Sequence, residues 1–169
     1  GFVKELNEVM RESIQISVLH LLKDNSIDKI SITEICNKAG VSRNSFYRNY
    51  ETKEMVILDY LEKTAADFSE IASSSDIHEY YYDLFNHLYN HKDILLLLKK
   101  RNLLNLLYEV YIKYSKFTTI FQGRDEYTER YMVGGAFFVM LKWLENSMDK
   151  SPEEIADILT RFINNKYIP

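Results

Sequence analysis

Apolar and polar residues alternate with the period of an α-helix in the first part of the chain. Leu6, Met10, Ile14 and Val18 recur at every fourth position, which puts them on one face of a helix. We therefore predict an amphipathic first helix over residues 3–24, ended by the polar residues that follow.

Two short helices are predicted next, and each has its own start signal. Ser31 and Glu34 have the spacing of a capping box, which predicts a second helix over residues 32–39. Gly40 follows where a left-handed C-terminal cap is expected, and Ser42 is placed to cap a third helix. A turn this short between two helices is typical of a helix-turn-helix unit.

The remaining pattern is helical to the end of the chain. Helices are predicted over residues 53–71, 77–90, 93–100, 102–116, 126–147 and 152–165, with a looser stretch near 118–124. Ser151 and Pro152 provide a cap and a first-turn proline for the last helix. We find no internal repeat and no strand pair. The predicted fold class is all-α with about nine helices: an N-terminal three-helix helix-turn-helix head, residues 1–52, on a larger helical body, residues 53–169.

Composition agrees with this interpretation and excludes several classes of protein. Only 5 glycines and 2 prolines in 169 residues argue against a β-rich fold, which needs many tight turns. A single cysteine, Cys36, excludes an internal disulfide and a cysteine-based zinc site. The longest apolar runs, residues 94–98 and 134–141, are too short to span a bilayer. We expect a cytoplasmic protein with a substantial buried core.

Charge is distributed unevenly along the chain. The net charge is -4, yet the stretch from Cys36 to Tyr50 contains three bases and no acid. On the third predicted helix, Phe46 and Tyr50 are expected to face the core. The exposed faces then carry Arg43, Asn44, Ser45, Tyr47, Arg48 and Asn49. Arginine and asparagine recognise bases, and hydroxyl groups reach phosphates. A merely solvated helix face is the alternative, but the local excess of base and two tightly coupled, capped helices favour nucleic-acid contact.

The run ISITEICNKAGVSRNSFYRNYETKEMVI, residues 30–57, resembles the DNA-binding segment of the TetR/AcrR family of bacterial transcriptional regulators. The resemblance covers about the first 60 residues. The positions that match the family pattern are Ile35, Cys36, Ala39, Gly40, Val41, Ser42, Ser45, Phe46, Tyr47, Thr52, Lys53 and Glu54. Asn49 stands where the family commonly has histidine, and Tyr50 where it commonly has phenylalanine.

The resemblance implies a role for each residue of this stretch. Tyr47 and Lys53 resemble the family's phosphate-contacting residues, and Thr33 is a candidate phosphate or groove contact. Arg43, Asn44 and Ser45 occupy variable, base-reading positions, and Arg48 lies nearby. The candidate DNA-binding residues are Thr33, Arg43, Asn44, Ser45, Tyr47, Arg48, Asn49 and Lys53. Because these contacts include phosphates, binding to double-stranded DNA is expected to weaken as the salt concentration rises.

The segment YMVGGAFFVMLKWLENSM is apolar nearly all round, which predicts a helix buried on both sides. Glycines inside a helix reduce its stability, so a close backbone approach is the expected reason for the Gly-Gly pair. The resemblance implies that the last two long helices pair with those of a second subunit. Candidate dimer-interface residues are Gly134, Gly135, Phe138, Leu141, Leu144, Ile155, Ile158, Leu159 and Phe162. The alternative is that many of them form the core of one chain.

The resemblance also implies a small-molecule effector that binds in the body and loosens DNA binding. Candidate pocket residues are Tyr81, Phe85, Leu88, Tyr89, Leu107, Tyr108, Tyr111 and Phe137. Aromatic side chains in an acidic body suit an apolar or cationic effector. An ordinary aromatic core is the alternative explanation.

The function predicted from sequence is therefore a DNA-binding transcriptional repressor that binds a palindromic operator as a homodimer and is released by an effector. The alternative is a protein of the same fold that acts through a protein partner, for example as a co-activator. No catalytic motif is present, so no enzyme activity and no cofactor are predicted. His87 and His91 have the spacing of a metal-binding pair. No third ligand follows at matching spacing, so no metal site is predicted either.

Overall fold

A computed structural model describes residues 1–72, 76–115, 120 and 123–164, and the regular structure of these residues is entirely helical. Nine α-helices lie within them: α1 (Phe2–Leu22), α2 (Ile32–Ala39), α3 (Arg43–Asn49), α4 (Lys53–Ile71), α5 (Ile77–Asn90), α6 (Lys92–Lys100), α7 (Asn105–Ser115), α8 (Glu126–Glu145) and α9 (Pro152–Asn164). The predicted all-α class is confirmed. The looser stretch predicted at 118–124 lies largely outside the described residues.

The contacts divide the chain into two compact units, residues 1–63 and residues 64–169. Unit 1 contains α1 to α3 and the first half of α4, and unit 2 contains the rest. The predicted domain boundary at residue 52 lies between the expected DNA-binding part and the expected effector-binding part of the chain, and it stays a prediction.

Unit 1 has a single apolar core. It is formed by side chains from all four of its helices and from the turn before α2. The most deeply buried are Ile14, Val18, Leu22, Ile30, Ile35, Phe46, Val56 and Ile57. A short 3-10 helix, Ile27–Lys29, which the sequence pattern did not predict, connects α1 to α2.

The start and end signals of α2 act as the sequence predicts. The Ser31 hydroxyl accepts the Glu34 backbone N–H at 3.0 Å, and the Glu34 carboxylate accepts the Ser31 N–H at 3.1 Å. Gly40 has φ 69° and ψ 34°, the left-handed conformation that ends the helix. The next amide, that of Val41, donates to the Cys36 carbonyl at 3.1 Å. The capping box and the left-handed cap are both confirmed.

Unit 2 is a helical bundle in which α9 packs along α5. Its largest buried side chain is that of Trp143, whose indole N–H donates to the Lys150 carbonyl at 2.8 Å. The predicted cap of α9 is present, since the Ser151 hydroxyl accepts the Glu154 N–H at 3.1 Å. None of the described helices is both long enough and apolar enough to cross a membrane.

Helix α8 differs from the prediction that it is buried on both sides. Met132, Ala136 and Met140 are buried on one face, but Tyr131 and Phe138 are 63% and 71% exposed on the other. One chain covers only one face of α8, and burial of the other face in a dimer stays a prediction.

Candidate nucleic-acid interface

Helix α3 begins at Ser42, whose hydroxyl accepts the Ser45 backbone N–H at 3.1 Å. Phe46 and Tyr50 are buried, as predicted, and anchor the helix against the core of unit 1. The opposite face is open to solvent. Four of the predicted DNA-binding side chains are exposed on it: Arg43, Asn44, Tyr47 and Arg48.

Arg43 connects α3 to α2 through a side-chain hydrogen bond. Its guanidinium donates to the Thr33 hydroxyl at 2.7 Å, and the same guanidinium lies 6.0 Å from the centre of the Tyr47 ring. Thr33 is exposed at the start of α2. Three residues predicted separately from the sequence therefore form one continuous polar surface across the two helices.

Asn49 is turned towards α1 rather than outwards. Its amide donates to the Ser45 carbonyl at 2.8 Å, and its carbonyl oxygen accepts from the Arg11 Nε–H at 3.2 Å. Ser45 is also only partly exposed, and its hydroxyl lies 3.0 Å from that of Ser42. The expectation that both side chains lie on exposed faces was too simple, because neighbouring polar groups compete for them.

Lys53, at the start of α4, is held by the turn that precedes α2. Its ammonium donates to the carbonyl oxygens of Ile27 and Ile30, at 2.8 and 2.7 Å. An ammonium has three N–H donors, and these bonds use two of them. The positive charge is thus fixed in place, and it stabilises the turn on which α2 begins.

A polar network that the sequence analysis missed fixes the end of α3. The Tyr50 hydroxyl donates to the Asp59 carboxylate at 2.6 Å, and the Gln15 amide donates to both groups, at 3.1 and 3.0 Å. The Arg11 guanidinium lies 3.7 Å from the same carboxylate. A signal was present, since Gln15 interrupts the buried side of α1 beside Ile14.

Burial changes the proton affinity of two groups near this surface. Burial disfavours the phenolate and raises the pKa of Tyr50, and the hydrogen bond to Asp59 raises it further. Burial likewise raises the pKa of the Cys36 thiol, with Arg43 acting in the opposite direction. The thiol points to the Ser42 carbonyl at 3.8 Å. Both residues are neutral parts of the core at ordinary pH.

The predicted effector-pocket residues form two aromatic groups within unit 2. The Phe137 ring lies 5.0 Å from that of Tyr111 and 5.5 Å from that of Tyr108. Phe85 and Tyr89 instead surround Trp143, at 5.2 and 6.5 Å between ring centres. Tyr81 and Leu107 are buried, and Leu88 is partly buried.

Tyr111 connects the aromatic group around Phe137 to the backbone of α8. Its hydroxyl donates to the Val133 carbonyl of α8 at 2.9 Å. Burial raises the pKa of Tyr111, and the neighbouring Tyr80 and Tyr81 raise it further. A neutral hydroxyl among buried rings can accept a hydrogen bond from a ligand that is otherwise apolar.

The predicted dimer-interface residues divide into core and surface. Leu144, Ile155 and Leu159 are buried within one chain, so for these three the alternative interpretation as core holds. Six others remain at least partly accessible: Gly134, Gly135, Phe138, Leu141, Ile158 and Phe162. Apart from the adjacent residues and the backbone of α8 itself, no heavy atom of the described residues lies within 4 Å of where a Cβ would be at either glycine. The close approach expected at the Gly-Gly pair is therefore not made inside the chain.

Three comparisons with known proteins agree with this architecture. A family model, TetR_C_8, described as "Transcriptional regulator C-terminal region", matches residues 75–165. The "Uncharacterized HTH-type transcriptional regulator YxbF" of Bacillus subtilis (strain 168) is 25% identical over 187 aligned residues, which cover 94% of this chain and 46% of that protein. This chain thus spans about half the length of that relative.

The fold also resembles that of the fatty acid degradation regulator FadR from Bacillus halodurans. The TM-score is 0.58 at 15% sequence identity, with 95% of this chain and 97% of the other covered. The likeness to FadR supports the fold, and the family model spans more than half of the chain. The all-α architecture, the helix-turn-helix of unit 1 and the match of unit 2 to the family model together show that the chain belongs to the TetR family of transcriptional regulators.

Proposed function

We propose that the protein is a repressor that binds a palindromic operator as a homodimer and leaves it when a small molecule binds in unit 2. The observation that carries the proposal is the polar surface of α2 and α3. It displays Arg43, Asn44, Tyr47 and Arg48 around a Thr33–Arg43 hydrogen bond, in a chain whose net charge is -4.

The side chains of this surface divide between base and phosphate contacts. Arg43, Asn44 and Arg48 project from one α-helix, and the major groove is wide enough to admit an α-helix. In the groove, arginine recognises guanine and asparagine recognises adenine. Tyr47 and Lys53 contact the phosphates on either side. Asn49 is hydrogen-bonded to Arg11 and Ser45, so its proposed role is to orient α3 rather than to contact a base.

Two copies are needed because one short helix reads too few base pairs. The exposed face of α8 supports this part of the proposal. Tyr131 and Phe138 flank two glycines at which a Cβ would meet open space, and exposed aromatic patches of this kind are typical of protein interfaces. A two-fold axis at this face matches the symmetry of a palindromic site.

The effector is proposed to bind at the aromatic group around Phe137. Tyr108 and Tyr111 contact the Phe137 ring, and the Tyr111 hydroxyl reaches α8. A ligand that separates these rings shifts α7 against α8, the helix proposed to form the interface. An apolar molecule with one cationic or hydrogen-bonding group fits this surface best.

The test is selection of binding sites from random double-stranded DNA, followed by fluorescence anisotropy on the selected sequence. We expect an enriched palindrome that two chains bind together, and weaker binding after addition of an extract fraction that contains the effector. Failure to enrich any sequence, from protein whose circular dichroism confirms its helices, would favour the alternative of action through a protein partner.

A further inference from the structure

Unit 2 brings together three side chains that are far apart in the sequence. His78 lies in the first turn of α5, and Glu153 and Asp157 lie one turn apart at the start of α9. Within the described part of the chain, these three residues form the one group of at least three potential metal ligands. Their ligand atoms all lie within 4.8 Å of one another.

The imidazole lies between the two carboxylates. His78 Nε2 is 2.7 Å from Asp157 Oδ1 and 3.7 Å from Glu153 Oε1. Glu153 and Asp157 share one face of α9 because they are four residues apart, and α9 packs along α5. The side chains of His78, Glu153 and Asp157 are 34%, 61% and 55% exposed, so a hydrated cation can reach all three.

The three donor atoms suit a divalent transition-metal ion. Zinc binds histidine nitrogen and carboxylate oxygen at about 2.0–2.2 Å, which in a tetrahedral site places the ligand atoms about 3.3 Å apart. Two of the present separations, 2.7 and 3.7 Å, bracket that value, so small rotations of the side chains are sufficient. The ion takes the place of the proton between His78 and Asp157, and the carboxylates of Glu153 and Asp157 balance its charge.

We propose that His78, Glu153 and Asp157 bind a divalent transition-metal ion, with Zn²⁺ the best-matched cation, and that the ion fastens α5 to α9. The imidazole nitrogen disfavours Mg²⁺ and Ca²⁺, which take oxygen ligands. With three protein ligands, the fourth position is filled by water or by a ligand from solution.

The pair formed by His87 and His91 offers an internal control. His87 and His91 lie on α5 with ring centres 4.8 Å apart, which is the pair that the sequence spacing indicates. The His87 Nε2, however, is engaged by the Thr64 carbonyl at 3.1 Å. Burial and the neighbouring His91 lower the pKa of His87. This pair provides two ligands rather than three.

The experiment is isothermal titration calorimetry of the full chain with ZnCl₂. Any affinity tag is removed beforehand, and residual metal is stripped with EDTA. We expect one Zn²⁺ per chain, a rise in Tm that EDTA reverses, and a Co²⁺ absorption band of the bound ion. His78→Ala and Asp157→Asn should each weaken Zn²⁺ binding by at least tenfold, the lower end of the roughly 10–100-fold that even supporting residues contribute. His91→Ala should leave the affinity unchanged.

Three results would overturn the proposal: no Zn²⁺ binding by the wild-type chain, wild-type affinity in both His78→Ala and Asp157→Asn, or loss of binding in His91→Ala. The His78 and Asp157 side chains are 34% and 55% exposed, so both variants are expected to fold, and circular dichroism checks this. Asp157→Glu retains a carboxylate and Asp157→Asn does not, so Zn²⁺ binding that is weakened in Asp157→Asn and kept in Asp157→Glu reflects ligation rather than a general effect on α9.

Discussion

Helices α3 and α8 each leave one face exposed, and the two faces have opposite chemistry. The face of α3 carries two arginines, an asparagine and a half-exposed tyrosine, Tyr47. The face of α8 carries Tyr131 and Phe138 around Gly134 and Gly135. The first face suits a hydrated, anionic surface such as DNA, whereas the second suits another apolar surface.

The difference shows that the net charge of the whole chain does not indicate which kind of surface each face suits. Binding is decided by the few side chains on each face and by how firmly they are held. On α3, Arg43 is fixed by Thr33, and the end of the helix is fixed by the hydrogen bond between Tyr50 and Asp59. Each face can be changed without disturbing the other, which allows the two proposed roles to be separated.

The largest effect is expected from Phe138→Asp on α8. The side chain is 71% exposed, so the chain should fold normally while a charge enters the proposed subunit interface. We expect a monomer by light scattering and a loss of operator affinity towards the non-specific level, roughly 10³-fold or more. Ile16→Asp on α1 is the control, because Ile16 is exposed to a similar extent, 67%. A dimer that persists in Phe138→Asp would place the interface elsewhere.

Arg43→Ala should have the next largest effect, and on the other face. Removal of a bidentate base contact is expected to weaken operator binding by about 1–3 kcal/mol and to relax the preference for one base pair. Arg43→Lys keeps the charge but not the planar fork, so it should restore part of the affinity and little of the specificity. Arg161→Ala on α9 is the matched control. If Arg43→Ala binds every sequence as the wild type does, α3 does not read bases through this residue.

Lys53→Ala should weaken binding to all DNA sequences alike. Loss of one phosphate contact reduces the salt dependence of binding, the slope of log K against log salt concentration, by about 1. The change also leaves the carbonyls of Ile27 and Ile30 without the ammonium, which is expected to lower the free energy of unfolding by about 1–3 kcal/mol. Lys63→Ala removes the same charge from the same helix, and it should alter neither quantity appreciably. An unchanged salt slope with lowered stability would assign Lys53 a purely structural role.

Gly134→Ala should have the smallest and most diagnostic effect. A Cβ at this position meets open space within the described chain, so alanine is expected to stabilise the folded monomer by about 0.4–1 kcal/mol through its helix propensity. The same methyl group is expected to weaken the dimer if two α8 helices meet here. Urea unfolding at low protein concentration and dimer dissociation measure the two effects separately. Tighter dimerisation in this variant would contradict a close approach at Gly134.

Local sequence signals were sufficient to predict the helices. The capping boxes at Ser31 and Ser151 and the left-handed Gly40 act between residues at most a few positions apart. Such short-range hydrogen bonds form in the same way in any protein that contains the pattern. For that reason the bounds of α2 were predicted without error, and the predicted bounds of α4 and α5 also agree with the structure.

The sites could be predicted only in part, because their details depend on distant residues. Arg11 holds Asn49 across 38 positions, and no local pattern indicates that an exposed-looking amide is turned inward. Asp157 meets His78 across 79 positions, so sequence spacing could not indicate that these two side chains lie together. Which residues of α8 lie on its exposed side could not be predicted, because a run of apolar residues cannot show how much of it the rest of the chain covers.

The bonds from Lys53 to the carbonyls of Ile27 and Ile30 have a further consequence for the energetics of binding. A free lysine side chain loses up to about 2 kcal/mol of rotamer entropy when it is immobilised. Here that loss occurs when unit 1 folds, before any DNA is present, so in the proposed complex a phosphate would meet an ammonium already in position. Preorganisation of this kind makes a single contact more favourable, and a protein with few cations on its binding surface gains the most from it.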